Sequence, residues 1–267
     1  MIQLKKVGDS METLFISFLP VFLVGRYIYK RDKNKEPIKM LLKLFASGVL
    51  SCFLVVFISS IMGEIFPIFN ADVESLNLFE LVIYVFVGIA LVEEFCKWLM
   101  SYLIAFNNKE FEEVYDMIVY SAFVALGFAF FENFLYVLTY GTTVGIFRAL
   151  LAVPGHACDG VFMGYYLGLA KTNALNNNDD LKKKNLLLSV LVPTIMHGIY
   201  DFCLFTGNRI LIIFFFAFVI YVYVHSIKKI KKVSSIDGKL VYSNNICLNC
   251  GSVVDGNYCS NCGRRHI

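Results

Sequence analysis

The chain has 267 residues, 58% of them hydrophobic and 26 of them Phe, with a formal net charge of +3. A mean hydropathy of +0.65 excludes an ordinary soluble domain. Apolar runs of about 20 residues, the length a bilayer demands, make the class a polytopic helical membrane protein.

In chain order, the apolar patterning predicts seven spans, at 13–29, 40–62, 79–106, 116–139, 148–170, 186–206 and 210–227. The fold class is therefore all-α, a membrane bundle over 1–230, followed by a linker over 231–245 and a small separate unit over 246–267. The first span reads as a retained anchor. No small-residue cleavage site follows it, and Arg26 leads straight into a basic loop.

Basic residues alternate with the spans. Lys30, Arg31, Lys33, Lys35 and Lys39 follow span one. Lys109 follows span three, Lys171 and Lys182 to Lys184 follow span five, and Lys228, Lys229, Lys231 and Lys232 follow span seven. The loop after span two holds Glu64, Asp72 and Glu74 with no basic residue, and Arg148 and Arg209 flank the two other loops on that side. The positive-inside rule then expects the N-terminus outside and the C-terminus in the cytoplasm.

Span three carries "ALVEEFCKWLM", with Glu93, Glu94 and Lys97 in an otherwise apolar run. Span four carries Glu132, Asn133 and Tyr136 in "FENFLY". Span five carries His156 and Asp159 in "PGHACDG", where Pro154-Gly155 marks a break or start, and span six carries His197 and Asp201 in "HGIYDF". A charge at the bilayer centre costs about 2.5–3.5 kcal/mol on insertion scales, so these groups must pair, neutralise or face a wet cavity. At 1.5 Å rise per residue, Glu94, Glu132, His156 and His197 all lie about 17–24 Å from the inner ends of their spans. Four helices thus bring polar groups to a common level.

Lys97 is spaced i,i+4 from Glu93 and i,i+3 from Glu94, within reach of either. Consecutive glutamates diverge by about 100° around a helix. One is expected to face a reactive cavity and the other to pair with Lys97, and the spacing leaves open which. Gly127, Gly160, Gly164 and Gly168 offer small surfaces for close helix approach. Taken singly, each histidine reads most simply as a packing residue and Glu132 as an interhelical hydrogen-bond partner. Together the set suits hydrolysis, with a carboxylate activating water and histidines stabilising the oxyanion, binding a metal or shuttling protons. The alternatives are an ion or proton relay, or a non-proteolytic scaffold or immunity-type protein. Against transport, the sequence has no inverted repeat or matched broken helices.

"EEFCK", "FENFLY", "PGHACDG" and "HGIYDF", in this order on successive spans, resemble the PrsW family of bacterial intramembrane proteases, related to the CAAX-protease and bacteriocin-processing group. The resemblance implies a multi-pass protein of the bacterial cell membrane that cleaves single-span membrane proteins such as anti-sigma factors. It matches Glu93 and Glu94 to the essential glutamate pair, Lys97 to the motif lysine and Glu132 to the second-motif glutamate. His156, His197 and Asp201 match the motif histidines and terminal aspartate. A metal-dependent and a glutamate-only mechanism both remain compatible with it, so a catalytic divalent metal stays undecided.

In the tail, Cys247, Cys250, Cys259 and Cys262 form two Cys-x-x-Cys knuckles separated by eight residues. Four thiolates suit a closed, structural Zn2+ site, a cytoplasmic ribbon that would dock a partner; a disulfide pair is the alternative, disfavoured on a reducing cytoplasmic side. Cys52, Cys96, Cys158 and Cys203 lie singly in apolar segments and are expected to pack. Arg264, Arg265 and His266 are too few to argue for nucleic-acid binding, and none is expected.

Overall fold

The computed structural model describes residues 10–106, 108, 111, 113–235 and 258. The tail cysteines Cys247, Cys250, Cys259 and Cys262, the linker and the expected zinc ribbon lie outside the described residues.

The described chain is helical. Helices α1 (Ser10–Arg31) and α2 (Ile38–Ile65) are followed by two short 3-10 turns and α3 (Leu78–Ile83). A π-helical segment (Tyr84–Leu91), α4 (Val92–Ser101) and a second π-helical segment (Tyr102–Phe106) continue α3 without a break. Then come α5 (Val114–Tyr140), α6 (Thr142–Leu150), α7 (Ala152–Leu175), α8 (Asp179–Phe205) and α9 (Arg209–Ser234). Six helices are long and apolar enough to cross a membrane, with α6 and α7 counted as one. The continuous helical path over 78–106 coincides with the third span expected from the sequence, but it is divided into shorter segments and is not among the six.

Helix α5 is the hub. Most of its residues are buried, while α1, α2 and α9 turn Phe18, Phe22, Phe53, Phe57, Ile213 and Phe216 outwards, as helices with a lipid face do. The close approaches are made by glycine. A Cβ on Gly164 of α7 would stand 2.2 Å from the Met117 carbonyl oxygen of α5, and one on Gly160 would stand 2.9 Å from that of Ser121. On the other side of α5, Gly127 meets the Phe45 carbonyl of α2, and Gly48 of α2 meets that of Val124. With no hydrophobic drive between helices in lipid, such backbone contact is what holds them together.

Span five starts differently from expectation. The chain breaks at Leu151 (φ −116°), between α6 and α7, and Pro154 then sits in the first turn of α7. There its missing N–H costs nothing.

At one end of the bundle, the α1–α2 connection folds against the start of α5. Tyr120 donates its hydroxyl to Glu36, and Tyr115 donates to the Ile28 carbonyl at 2.9 Å. Burial raises the Asp32 carboxyl above the usual range and, against the Tyr120 hydrogen bond, pushes Glu36 up to about 8.

The glycine contacts set a stability test. Gly127→Ala places a methyl 2.0 Å from a backbone oxygen, an overpacking expected to cost about 1–3 kcal/mol. Gly155→Ala meets only a ring carbon at 3.9 Å and is expected to leave the thermal midpoint of the detergent-solubilised protein unchanged. A fluorescence melt of both variants checks the contrast.

Candidate active site

The first π-helical segment delivers the chain into α4, whose first turn carries Glu93 and Glu94. A π turn takes more residues than an α turn, so it re-aims the helical face that follows, and such segments recur at functional sites. Glu94 and Lys97 are both fully buried. Lys97 Nζ lies 2.7 Å from Glu94 Oε1 and 3.4 Å from Glu93 Oε2. It also lies 3.1 Å from His156 Nδ1 and 4.0 Å above the centre of the Phe128 ring. The ammonium is thus enclosed by carboxylate, imidazole and aromatic face, the surroundings a buried cation requires.

The two glutamates part company here. Glu94 Oε1 has His197 Nδ1 as a second partner at 2.8 Å, while Glu94 Oε2 is buried with no hydrogen-bond partner. Glu93 lines a cavity and is 12% exposed. The divergence expected of consecutive residues is realised, with Glu93 on the cavity side and Glu94 turned towards Lys97 and His197.

Two further chains of contacts close the cavity. His197 Nε2 lies 3.3 Å from Asp201 Oδ2, one turn along α8, and 3.9 Å from Glu93 Oε2. His156 Nε2 lies 2.9 Å from Glu132 Oε2, and the two imidazoles meet edge to face at 5.2 Å. Glu132 Oε2 also accepts from Arg148 Nη2 at 2.6 Å, and the guanidinium lies 3.7 Å over the Tyr136 ring.

The four motifs therefore meet in one polar cavity, lined by Glu93, Glu132, Tyr136, His156, Asp159, His197 and Asp201. Lys97 and Glu94 stand behind Glu93. Asn133 is not part of the lining. It is fully buried, and its Nδ2 donates to the Gly145 carbonyl at 3.4 Å, tying α5 to α6. Three polar lining residues, Arg148, Tyr200 and Tyr223, escape the sequence reading. A signal existed for the first: Arg148 is the only Lys or Arg between Lys109 and Lys171, and Glu132 needs a counter-charge.

The donor set also fits a divalent metal. Glu93, Glu94, His156 and His197 each offer one ligand atom, and these atoms lie within 4.8 Å of one another. Carboxylate and imidazole suit a transition ion such as Zn2+. The unpartnered Glu94 Oε2 is a donor with unused capacity. Each imidazole holds a carboxylate through Nε2, as metal-binding histidines do, while its Nδ1 faces Lys97 in His156 and Glu94 in His197.

Comparison with known proteins agrees with this architecture. Residues 36–226 match the model of a family described as PrsW family intramembrane metalloprotease. The chain is 39% identical over 195 residues to Protease PrsW of Oceanobacillus iheyensis, covering 73% of this chain and 83% of that one. It is 37% identical over 191 residues to Protease PrsW of Geobacillus kaustophilus, covering 71% and 77%. With Protease PrsW of Bacillus subtilis it shares 35% identity over 212 residues, covering 79% and 90%. No solved structure matches the chain. The chain belongs to the PrsW family of intramembrane metalloproteases.

Proposed function

We propose that this peptidase hydrolyses single-span membrane proteins, anti-sigma factors among the candidates, with Glu93 as the base that activates water. The observation that carries the reading is that, of the carboxylates lining the polar cavity, Glu132 is held by Arg148 and His156 and Asp201 by His197, while Glu93 stands 3.9 Å from His197 Nε2 with its neighbour Glu94 tied down. Glu93 takes the water proton. His197, held by Asp201 one turn away, and His156, held by Glu132, line the cavity where the oxyanion develops, and each stabilises it by turning an N–H from its carboxylate partner to the new oxygen. Lys97 balances the charge of Glu94 and stands 3.4 Å from Glu93. The substrate backbone must unwind to offer a carbonyl here, since in a helix its carbonyls are already bonded.

Glu94, His156 and His197 would hold a divalent ion and leave Glu93 free beside it, as a three-ligand site with an open position requires. When bound, such an ion polarises a carbonyl and acidifies water. On the same proposal the charge distribution sets the N-terminus outside and the C-terminus in the cytoplasm, where the tail cysteines would hold structural Zn2+.

Reconstitution in liposomes with candidate single-span substrates tests the reading. Loss of a general base costs about 10²–10⁴-fold in rate, so Glu93→Gln is expected to fall by that factor and His197→Ala to be severely impaired. Cleavage by Glu93→Gln at the wild-type rate, or Glu93-dependent ion flux with no cleavage, would overturn it. A membrane-permeant chelator, with restoration by added Zn2+, decides metal dependence.

Arg148 gives a graded test. Arg148→Lys keeps a positive charge near Glu132 but loses the planar stack on Tyr136. Arg148→Met loses both and leaves Glu132 with His156 alone. The expected order of turnover is wild type above Arg148→Lys above Arg148→Met, by single-turnover cleavage. Equal rates would reduce Arg148 to packing.

A further inference from the structure

A second buried carboxylate cluster lies at the end of the bundle where α1 ends and α5 begins, on elements that carry none of the groups of the membrane cavity at this level. Asp32, in the α1–α2 connection, is 3% exposed. Glu113 and Asp116, at the start of α5, are 6% and 1% exposed. One carboxylate oxygen from each lies within 4.8 Å of the other two. Oxygens that close can be bridged by two ligand bonds of about 2.4 Å, the length hard divalent cations make to oxygen.

Local hydrogen bonding explains part of this arrangement. Glu113 and Asp116 form a capping box on α5, with the Glu113 N–H donating to Asp116 Oδ2 at 2.8 Å. The Glu36 N–H donates to Asp32 Oδ2 at 3.3 Å. Asp32 Oδ1 is not explained. It is buried with no hydrogen-bond partner, on a residue that joins two other buried carboxylates. Lys35 donates to the carbonyls of Tyr29 and Asp32, and Lys171 donates to that of Asn108. Glu36, held by Tyr120, adds a fourth buried acid beside the three.

We propose that Asp32, Glu113 and Asp116 form a binding site for a hard divalent cation, Mg2+ or Ca2+. The cation fastens the α1–α2 connection to the first turn of α5. All donors are carboxylate oxygens, with no imidazole or thiolate, which selects against the softer ions that the membrane cluster suits. The site is independent of the proteolytic reading, because it joins elements rather than reacting groups.

Tb3+, which replaces Ca2+ at oxygen sites and is sensitised by nearby tyrosine, is the probe. The full chain in detergent is stripped with EDTA, and Tb3+ is titrated with excitation of tyrosine, Tyr115 and Tyr120 flanking Asp116 on α5. Saturable luminescence is expected, displaced by Ca2+ or Mg2+, with affinity at least about tenfold weaker in Asp32→Asn and unchanged in Glu94→Gln. Wild-type affinity in Asp32→Asn would overturn the proposal, as would a signal lost in Glu94→Gln and kept in Asp32→Asn. Should Asp32→Asn not fold, the wild-type protein decides alone. Its thermal midpoint is expected to rise by several degrees with Mg2+ or Ca2+ relative to Na+ at matched ionic strength, and no rise rejects the site.

Discussion

The structure depends on one buried ammonium. Lys97 lies among Glu94, Glu93, His156 and the Phe128 ring, fully removed from solvent. Without it, adjacent glutamates in an apolar helix would carry two uncompensated charges, each costing about 2.5–3.5 kcal/mol on insertion scales. Its contacts span α4, α5 and α7, so the same group that makes the glutamates tolerable also fixes where three helices stand. Breaking a buried pair by removing one partner strands the other, which is far costlier than never having had the pair. The arrangement is therefore maintained as a unit.

Arg148 plays the corresponding part at the far side of the cavity. It neutralises Glu132, which in turn holds His156, so the imidazole is fixed between a lysine on one nitrogen and a carboxylate on the other. His197 is held in the same manner between Glu94 and Asp201. Each histidine is thus clamped by charges from two directions, and of the glutamate pair it is Glu93 that has cavity exposure. Close packing makes this precision possible. Gly160 and Gly164 bring α7 against α5, so that His156 and Glu132, 24 positions apart in sequence, come within hydrogen-bonding distance.

Much of this was legible in the sequence, because lipid imposes strong rules. Six of the seven spans expected from apolar length are helices long and apolar enough to cross a membrane. The common depth of Glu94, Glu132, His156 and His197 follows from helical rise, and in the structure Glu132 meets His156 and Glu94 meets His197. What stayed hidden depends on tertiary detail. Arg148 reads as a loop flank because the break at Leu151 cannot be inferred with Pro154 three residues further on. Asn133 sits beside a site residue in sequence, yet one helical position turns it about 100° towards α6. The role of Gly48 depended on which helix it faced.

The division between Glu93 and Glu94 shows how local geometry converts a repeated residue into two different groups. A pair one residue apart cannot share a proton across 100° of helix, so each is governed by its own surroundings. Helix α8 supplies the asymmetry. His197 bonds Glu94 through Nδ1 at 2.8 Å and stands 3.9 Å from Glu93 through Nε2, so a single imidazole touches the structural acid and faces the accessible one. The π-helical segment just before them sets which glutamate meets α8 first, because its wider turns fix the angle at which α4 begins. Exchanging the two environments would require rotating α4, and Lys97 rides on that same helix. The lysine that neutralises the pair thereby also holds each glutamate to its place.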